Sequence, residues 1–132
     1  MNSDFKQIVD RWKKTVVFDS AKYQHFVIHL TVRNTNNQPD KNGVKIFNKF
    51  KNKFDYYLDL VLDEISEHNR KNFSSGILDS LNKDIYLFIP GAINSKYYDL
   101  MLILDFNLTE KDKIAYAVCF DNTSIQHIER FE

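Results

Sequence analysis

Residues 43–68, GVKIFNKFKNKFDYYLDLVLDEISEH, carry the strongest periodicity in the chain. Phe47, Phe50, Phe54, Leu58, Val61, Leu62 and Ile65 recur every three or four residues, which stacks them on one face of an α-helix. Opposite them Lys41, Lys45, Lys49 and Lys53 step by four, followed at the same step by Asp55, Asp59, Asp63 and Glu67. The spacing predicts one long amphipathic helix whose solvated face changes sign halfway. In a single helix that order opposes the macrodipole, with cations towards the N-terminus and anions towards the C-terminus. Like charges four residues apart also cost about 0.2–0.5 kcal/mol per pair. The acidic stripe therefore calls for compensation, either within the chain, through Arg70, Lys71 or an N-terminal helix, or from a partner.

Ahead of this helix lies the polar run NTNNQPDKNG (34–43), read as a loop in which Pro39-Asp40 opens the helix. In Gln24–Arg33, Phe26, Ile28, Leu30 and Val32 alternate with less apolar residues, the pattern of a strand with one buried face. Ser3 precedes Phe5, Ile8, Val9 and Trp12 at helical spacing, with Asp4 in the first turn and Lys13 and Lys14 in the last. That arrangement predicts a short capped helix, followed by a short edge strand at Thr15–Asp19.

Beyond the long helix, a polar break at 69–75 leads to a short helix or turn around Ile77, Leu78 and Leu81. Asp84–Ile89 is a continuous apolar run stopped by Pro90-Gly91, as in a buried strand. Tyr97–Phe106 reads as a central strand, antiparallel to the previous one across the loop PGAINSK. After a charged turn at Thr109–Lys113, Ile114, Tyr116, Val118 and Phe120 alternate with Ala115, Ala117 and Cys119. The small face of that strand is where a helix is expected to approach. Residues 125–131 suit a strand or a short helix, the strand being favoured. The fold expected is α+β in a single domain spanning 1–132: an antiparallel sheet of four or five strands, one long amphipathic helix packed across a face, and a short N-terminal helix.

Composition narrows the function classes. The chain has 132 residues with eleven Phe and seven Tyr, enough to build a core on large side chains. Cys119 is the one cysteine, so no internal disulfide forms; together with the polar start Asn2-Ser3-Asp4 this points to the cytoplasm. No apolar run approaches the roughly 20 residues of a membrane-spanning helix. Frequent Lys, Asn, Ile, Phe and Tyr fit an AT-rich bacterial or phage gene.

Three glycines, none in a Gly-rich loop, exclude a P-loop or dinucleotide fingerprint. Ser74-Ser75-Gly76 lacks the spacing of a nucleophile elbow. His25 and His29 have the spacing of a helical zinc pair, but on a strand they sit about 13 Å apart, too far to share a metal. Cys119, between Val118 and Phe120, reads as a compact hydrophobe. Asp99 and Asp105 share a strand face at about 20 Å separation, too far for a paired-carboxylate site. No catalytic residue, cofactor or metal is assigned.

What remains is charge. Residues 1–53 carry a net +7 and residues 54–132 a net −7. A lysine stripe extended by Lys13, Lys14 and Lys22 would contact phosphates nonspecifically, yet the phenylalanines lie on the buried side and cannot stack bases. The expected function is a non-catalytic protein-binding module, an immunity protein or phage inhibitor, whose partner presents a basic surface. Asp55, Asp59, Asp63 and Glu67, with Lys45, Lys49 and Lys53, are the candidate partner-binding residues. The alternatives are a nucleic-acid-associated protein and a small hydrolase with separated His and Asp/Glu.

Overall fold

The computed structural model describes residues 6–8, 11–20, 22–68, 80–90, 98–107 and 113–131. Its first described elements are strands, Lys6–Ile8 (β1) and Arg11–Ser20 (β2); a helix was expected as far as Lys14, and the strand expected at Thr15–Asp19 is part of β2. The same residues satisfy both periods. Trp12, Val16 and Phe18 alternate inward along β2, and all ten residues of β2 pair with Gln24–Arg33 of the next strand. Ten ladder pairs and a buried aromatic outweigh a local helical pattern, because propensity differences are small beside tertiary burial.

The third strand, β3, spans Gln24–Thr35. Asn36 and Asn37 both take positive φ (53° and 63°), as a two-residue type I′ hairpin turn requires, and return the chain as β4, Gln38–Pro39, against Asn34 and Thr35. The polar run read as a loop is thus mostly a tight hairpin. Asp40 then caps the first helix, accepting from the Gly43 N–H at 2.8 Å and from Thr35 Oγ1 at 3.0 Å.

The long helix is two helices, α1 (Lys41–Asn52) and α2 (Phe54–His68), separated at Lys53 with φ −122° and ψ 30°. The Lys53 N–H still donates to Lys49 and Phe50 carbonyls, and the ladder resumes with Tyr57 N–H on the Lys53 carbonyl at 3.1 Å. No proline or glycine marks the break. It falls where the surface charge changes sign, so Lys49 and Lys51 occupy the last turn of α1 and Asp55 the first turn of α2. Both placements suit the dipoles of the separate helices, which relieves the conflict at the junction and leaves it for Asp63 and Glu67 towards the C-terminal end of α2.

The helices form the crossover that a parallel pairing needs. Asp84–Ile89 (β5) lies parallel to β3, with Ile28 opposite Ile85, Leu30 opposite Leu87 and Val32 opposite Ile89. Leu100–Asn107 (β6), Lys113–Asp121 (β7) and Ser124–Phe131 (β8) continue antiparallel. Among the described residues the result is one mixed sheet with seven strands in the order β1-β2-β3-β5-β6-β7-β8, and β4 as an eighth paired to β3. This corrects the expected four or five antiparallel strands, and residues 125–131 lie in a strand. The polar break at 69–75, the short helix or turn around Ile77 and Leu78, the loop 91–97 and the turn at 109–112 lie outside the described residues.

The core forms between the helices and one face of the sheet. Phe47, Phe50, Phe54, Leu58, Val61, Leu62 and Ile65 are all buried, as their spacing predicted. Phe54 meets Phe18 edge-on at 4.9 Å, and Tyr57 meets Phe120 edge-on at 5.0 Å. Phe120 belongs to the bulky face of β7, so that face, and not the small face of Ala115, Ala117 and Cys119, turns to the helices. The reason is area: large rings gain more from burial than alanines. The other sheet face carries no described helix and presents Val17, Tyr86 and Phe131, each exposed.

Gly43 sets how closely α1 approaches the sheet. A Cβ there would lie 2.8 Å from Val32 Cγ1 and 3.3 Å from Ile89 Cγ2. In an exposed helix Gly→Ala gains up to about 1 kcal/mol. Here overpacking of about 1–3 kcal/mol opposes that gain, so Gly43→Ala is expected to lower the unfolding free energy measured by urea denaturation by a net of about 1 kcal/mol; an increase would show that α1 lifts off the sheet without cost.

Candidate functional site

The acidic stripe begins at the start of α2, where the β2–β3 turn folds over it. Ser20 closes β2 and its hydroxyl donates to Asp55. The same Ser20 oxygen accepts from the backbone N–H of Tyr23 at 2.9 Å and that of Lys22 at 3.2 Å, which sets the turn. Lys22 Nζ then reaches Asp59 at 2.8 Å, and the Tyr23 hydroxyl donates to the same Asp59 oxygen. Three side chains of one turn thereby clasp two successive turns of α2.

The electrostatics follow from these contacts. The Lys22 hydrogen bond, then that of Tyr23, holds the Asp59 carboxyl below its ordinary range. Burial, reinforced by the Asp59 hydrogen bond and charge, pushes the Tyr23 phenol far up. Lys22 is raised chiefly by its bond to Asp59, and it also feels Asp55 and Asp63. A residue grouped by sequence with the lysine stripe therefore serves the acidic one. The internal compensation considered was from Arg70, Lys71 or an N-terminal helix; Arg70 and Lys71 lie outside the described residues, and the described residues of the segment expected as that helix are strand.

Asp63 and Glu67 remain beyond the turn. Both are exposed, and neither has a hydrogen bond or ion pair among the described residues. They lie one helical step apart towards the C-terminal end of α2, where the dipole disfavours anions. Of the lysines, Lys49 donates to Asn122 Oδ1 at 2.6 Å and so ties α1 to the β7–β8 turn, while Lys45 and Lys53 are exposed. The basic and acidic candidates thus lie on successive helices, and Asp55, Asp59 and Lys49 are engaged within the fold.

Among the described residues the groups considered for chemistry stand mostly apart, although Cys119 and His127 are register partners across β7 and β8. His29 Nε2 contacts Asp84 at 2.8 Å and stacks on Tyr86 with ring centroids 4.9 Å apart. His25 contacts Asp19 at 3.1 Å, and His127 contacts Glu129 at 3.3 Å. His29 and His127 stand four strand spacings apart in the sheet, roughly 19 Å. Among the described residues no group of three His, Cys, Asp or Glu is placed to hold a metal ion. Cys119 is buried, and burial, with Glu129 adding, raises its thiol, the opposite of an activated nucleophile. Asp99 accepts from the Asn122 N–H at 2.8 Å, and the Asp105 carbonyl accepts from the Asn82 N–H at 2.8 Å.

No described helix is long and apolar enough to cross a membrane. Comparison of the chain with known protein families, curated proteins and solved structures finds no match.

The clasp makes stability depend on pH at both ends. Asp59, depressed in the folded state, contributes above its unfolded value of about 4 and ceases to as pH falls through the folded one. Tyr23, raised in the folded state, contributes below about pH 10 and ceases to as pH rises through the folded value. Asp59→Asn should lose about 1 kcal/mol near neutrality, a modest figure because the pair is partly exposed. Thermal melts should show that gap closing below about pH 4, and Tyr23→Phe should blunt the decline above about pH 10. A gap independent of pH would refute the Asp59 assignment.

Proposed function

We propose that this chain is a non-catalytic protein-binding module, of the immunity or inhibitor kind, which docks a basic protein surface on the C-terminal half of α2. The observation that carries this reading is the pair Asp63 and Glu67. They repel each other, oppose the helix dipole and have no ion-pair or hydrogen-bond partner among the described residues, whereas in the first half of the same stripe Asp55 is hydrogen-bonded by Ser20 and Asp59 is paired with Lys22. A basic partner would offset both penalties, and rim charges of this kind act mainly on association rate and salt dependence. Asp59 belongs to the fold rather than to the docking surface. Asp55 stands at the boundary, since its Ser20 contact leaves it half-buried.

The reading separates cleanly from nucleic-acid association. Charge reversal at Asp63 and Glu67 to Lys should leave the melting temperature unchanged or raise it, because the step from Asp59 to position 63 turns from repulsive to attractive, worth about 0.2–0.5 kcal/mol, and cations suit the C-terminal end of the helix dipole, while the 63–67 step stays like-charged. With a partner protein purified from the source cells, the same reversal should weaken binding about tenfold or more at low salt, while Lys45→Glu should not. Undiminished affinity of the reversed protein would sink the proposal. Salt-sensitive retention of generic DNA, lost on Lys45→Glu and Lys53→Glu, would favour the lysine surface instead.

A further inference from the structure

A second candidate site lies away from α2, at the corner of the sheet where β2 and β6 begin and β3 and β5 end. There a cavity of about 670 Å³ opens, within the roughly 300–1,000 Å³ of small-molecule sites. It sits at the carboxyl ends of β3 and β5, the parallel pair of the sheet, and in open α/β sheets ligands favour that end of the strands.

The lining is chemically lopsided. Arg11 and Arg33 are register partners across β2 and β3, so two guanidinium groups start from directly opposed positions, an arrangement that costs stability in a strand pair. Both are exposed, and neither has an ion pair or hydrogen bond among the described residues. No carboxylate lies among the described residues of the wall. Nearby Asp99 is committed to the Asn122 N–H. Asn34, also in the lining, is held by Trp12, whose Nε1–H donates to its Oδ1 at 2.8 Å. The opposite side is apolar and aromatic, from Phe88, Tyr98 and Met101. Burial keeps the Tyr98 phenol neutral by raising it, against the opposing charge of Arg11.

Two cations without an anion fit a ligand of charge near −2, and a phosphate monoester at neutral pH carries about that charge. Guanidinium pairs bind phosphate oxygens bidentately. Aromatic side chains offer stacking to a planar ring. We propose that this corner cavity binds a phosphate monoester carried on a planar ring, as in a nucleoside monophosphate, with Arg11 and Arg33 on the phosphate and Phe88 and Tyr98 against the ring. The site involves none of the residues assigned to the protein-binding surface, so either assignment stands or falls without the other.

Calorimetric titration with adenosine monophosphate, adenosine and inorganic phosphate tests it. The mononucleotide should bind saturably below about 1 mM, and adenosine and inorganic phosphate should each be weaker by about tenfold or more. Arg11→Ala and Arg33→Ala should each cost about tenfold or more in affinity. Since both side chains are exposed and repel each other, an unchanged or raised melting temperature will show that the fold is intact. Arg33→Lys, which keeps the charge but not the fork, should recover only part of the loss. If a 5′-phosphorylated dinucleotide binds more tightly than the mononucleotide, the source is a nucleic-acid end; if less tightly, a free nucleotide; both support the site. No saturable binding of either, or affinity unaffected by both arginine substitutions, would overturn it.

Discussion

The parallel pairing of β3 with β5 is the constraint on which the remaining architecture depends. Ile28, Leu30 and Val32 lie opposite Ile85, Leu87 and Ile89, and all six are buried. Parallel neighbours cannot be joined by a tight turn, so the chain between them must leave the sheet and return. Residues 41–68 make that excursion as α1 and α2, which places both helices over one face and decides which face of every strand becomes core. On one side the pairing extends through the β2–β3 hairpin, on the other through the meander β6–β8.

Close approach of the helices then depends on small local devices. Asp40 ends the hairpin and starts α1 through one side chain, and Gly43 lets the first turn rest on Val32 and Ile89. The break at Lys53 divides the surface charge between two dipoles instead of one. The β2–β3 turn closes the structure from the side, with Ser20, Lys22 and Tyr23 on α2. These contacts hydrogen-bond Asp55 and pair Asp59 with a cation, and leave Asp63 and Glu67 to the solvent.

Much of this was legible in residue order. The helix face, the strand at β3, the apolar run of β5 and the alternation in β7 follow from burial periodicity, and every apolar position named for the long helix is buried. Residues 6–8 and 11–14 are strand and not the expected helix, because Phe5, Ile8, Val9 and Trp12 satisfy a helical period in sequence while Trp12, Val16 and Phe18 satisfy that of a strand. Lys14 interrupts the second pattern at an inward-facing position, and only pairing with β3 resolves the ambiguity. The helix break carries no proline or glycine, hence no local signal. The acidic stripe was visible, but the partners of its first half come from a turn more than thirty residues earlier.

By itself the sequence determined which side chains seek burial and with what period, because apolar burial and helix or strand geometry are properties of neighbouring residues. It also determined the charge stripes and the scarcity of glycine that excludes phosphate-binding loops. Tertiary structure alone decided that β3 and β5 run parallel, that the bulky face of β7 turns inward, and that Lys22 belongs with Asp59. It alone set Arg11 opposite Arg33 beside Phe88 and Tyr98. Each of these is a pairing of segments distant in sequence, selected by the total area and charge the whole chain can satisfy at once, which no local window contains.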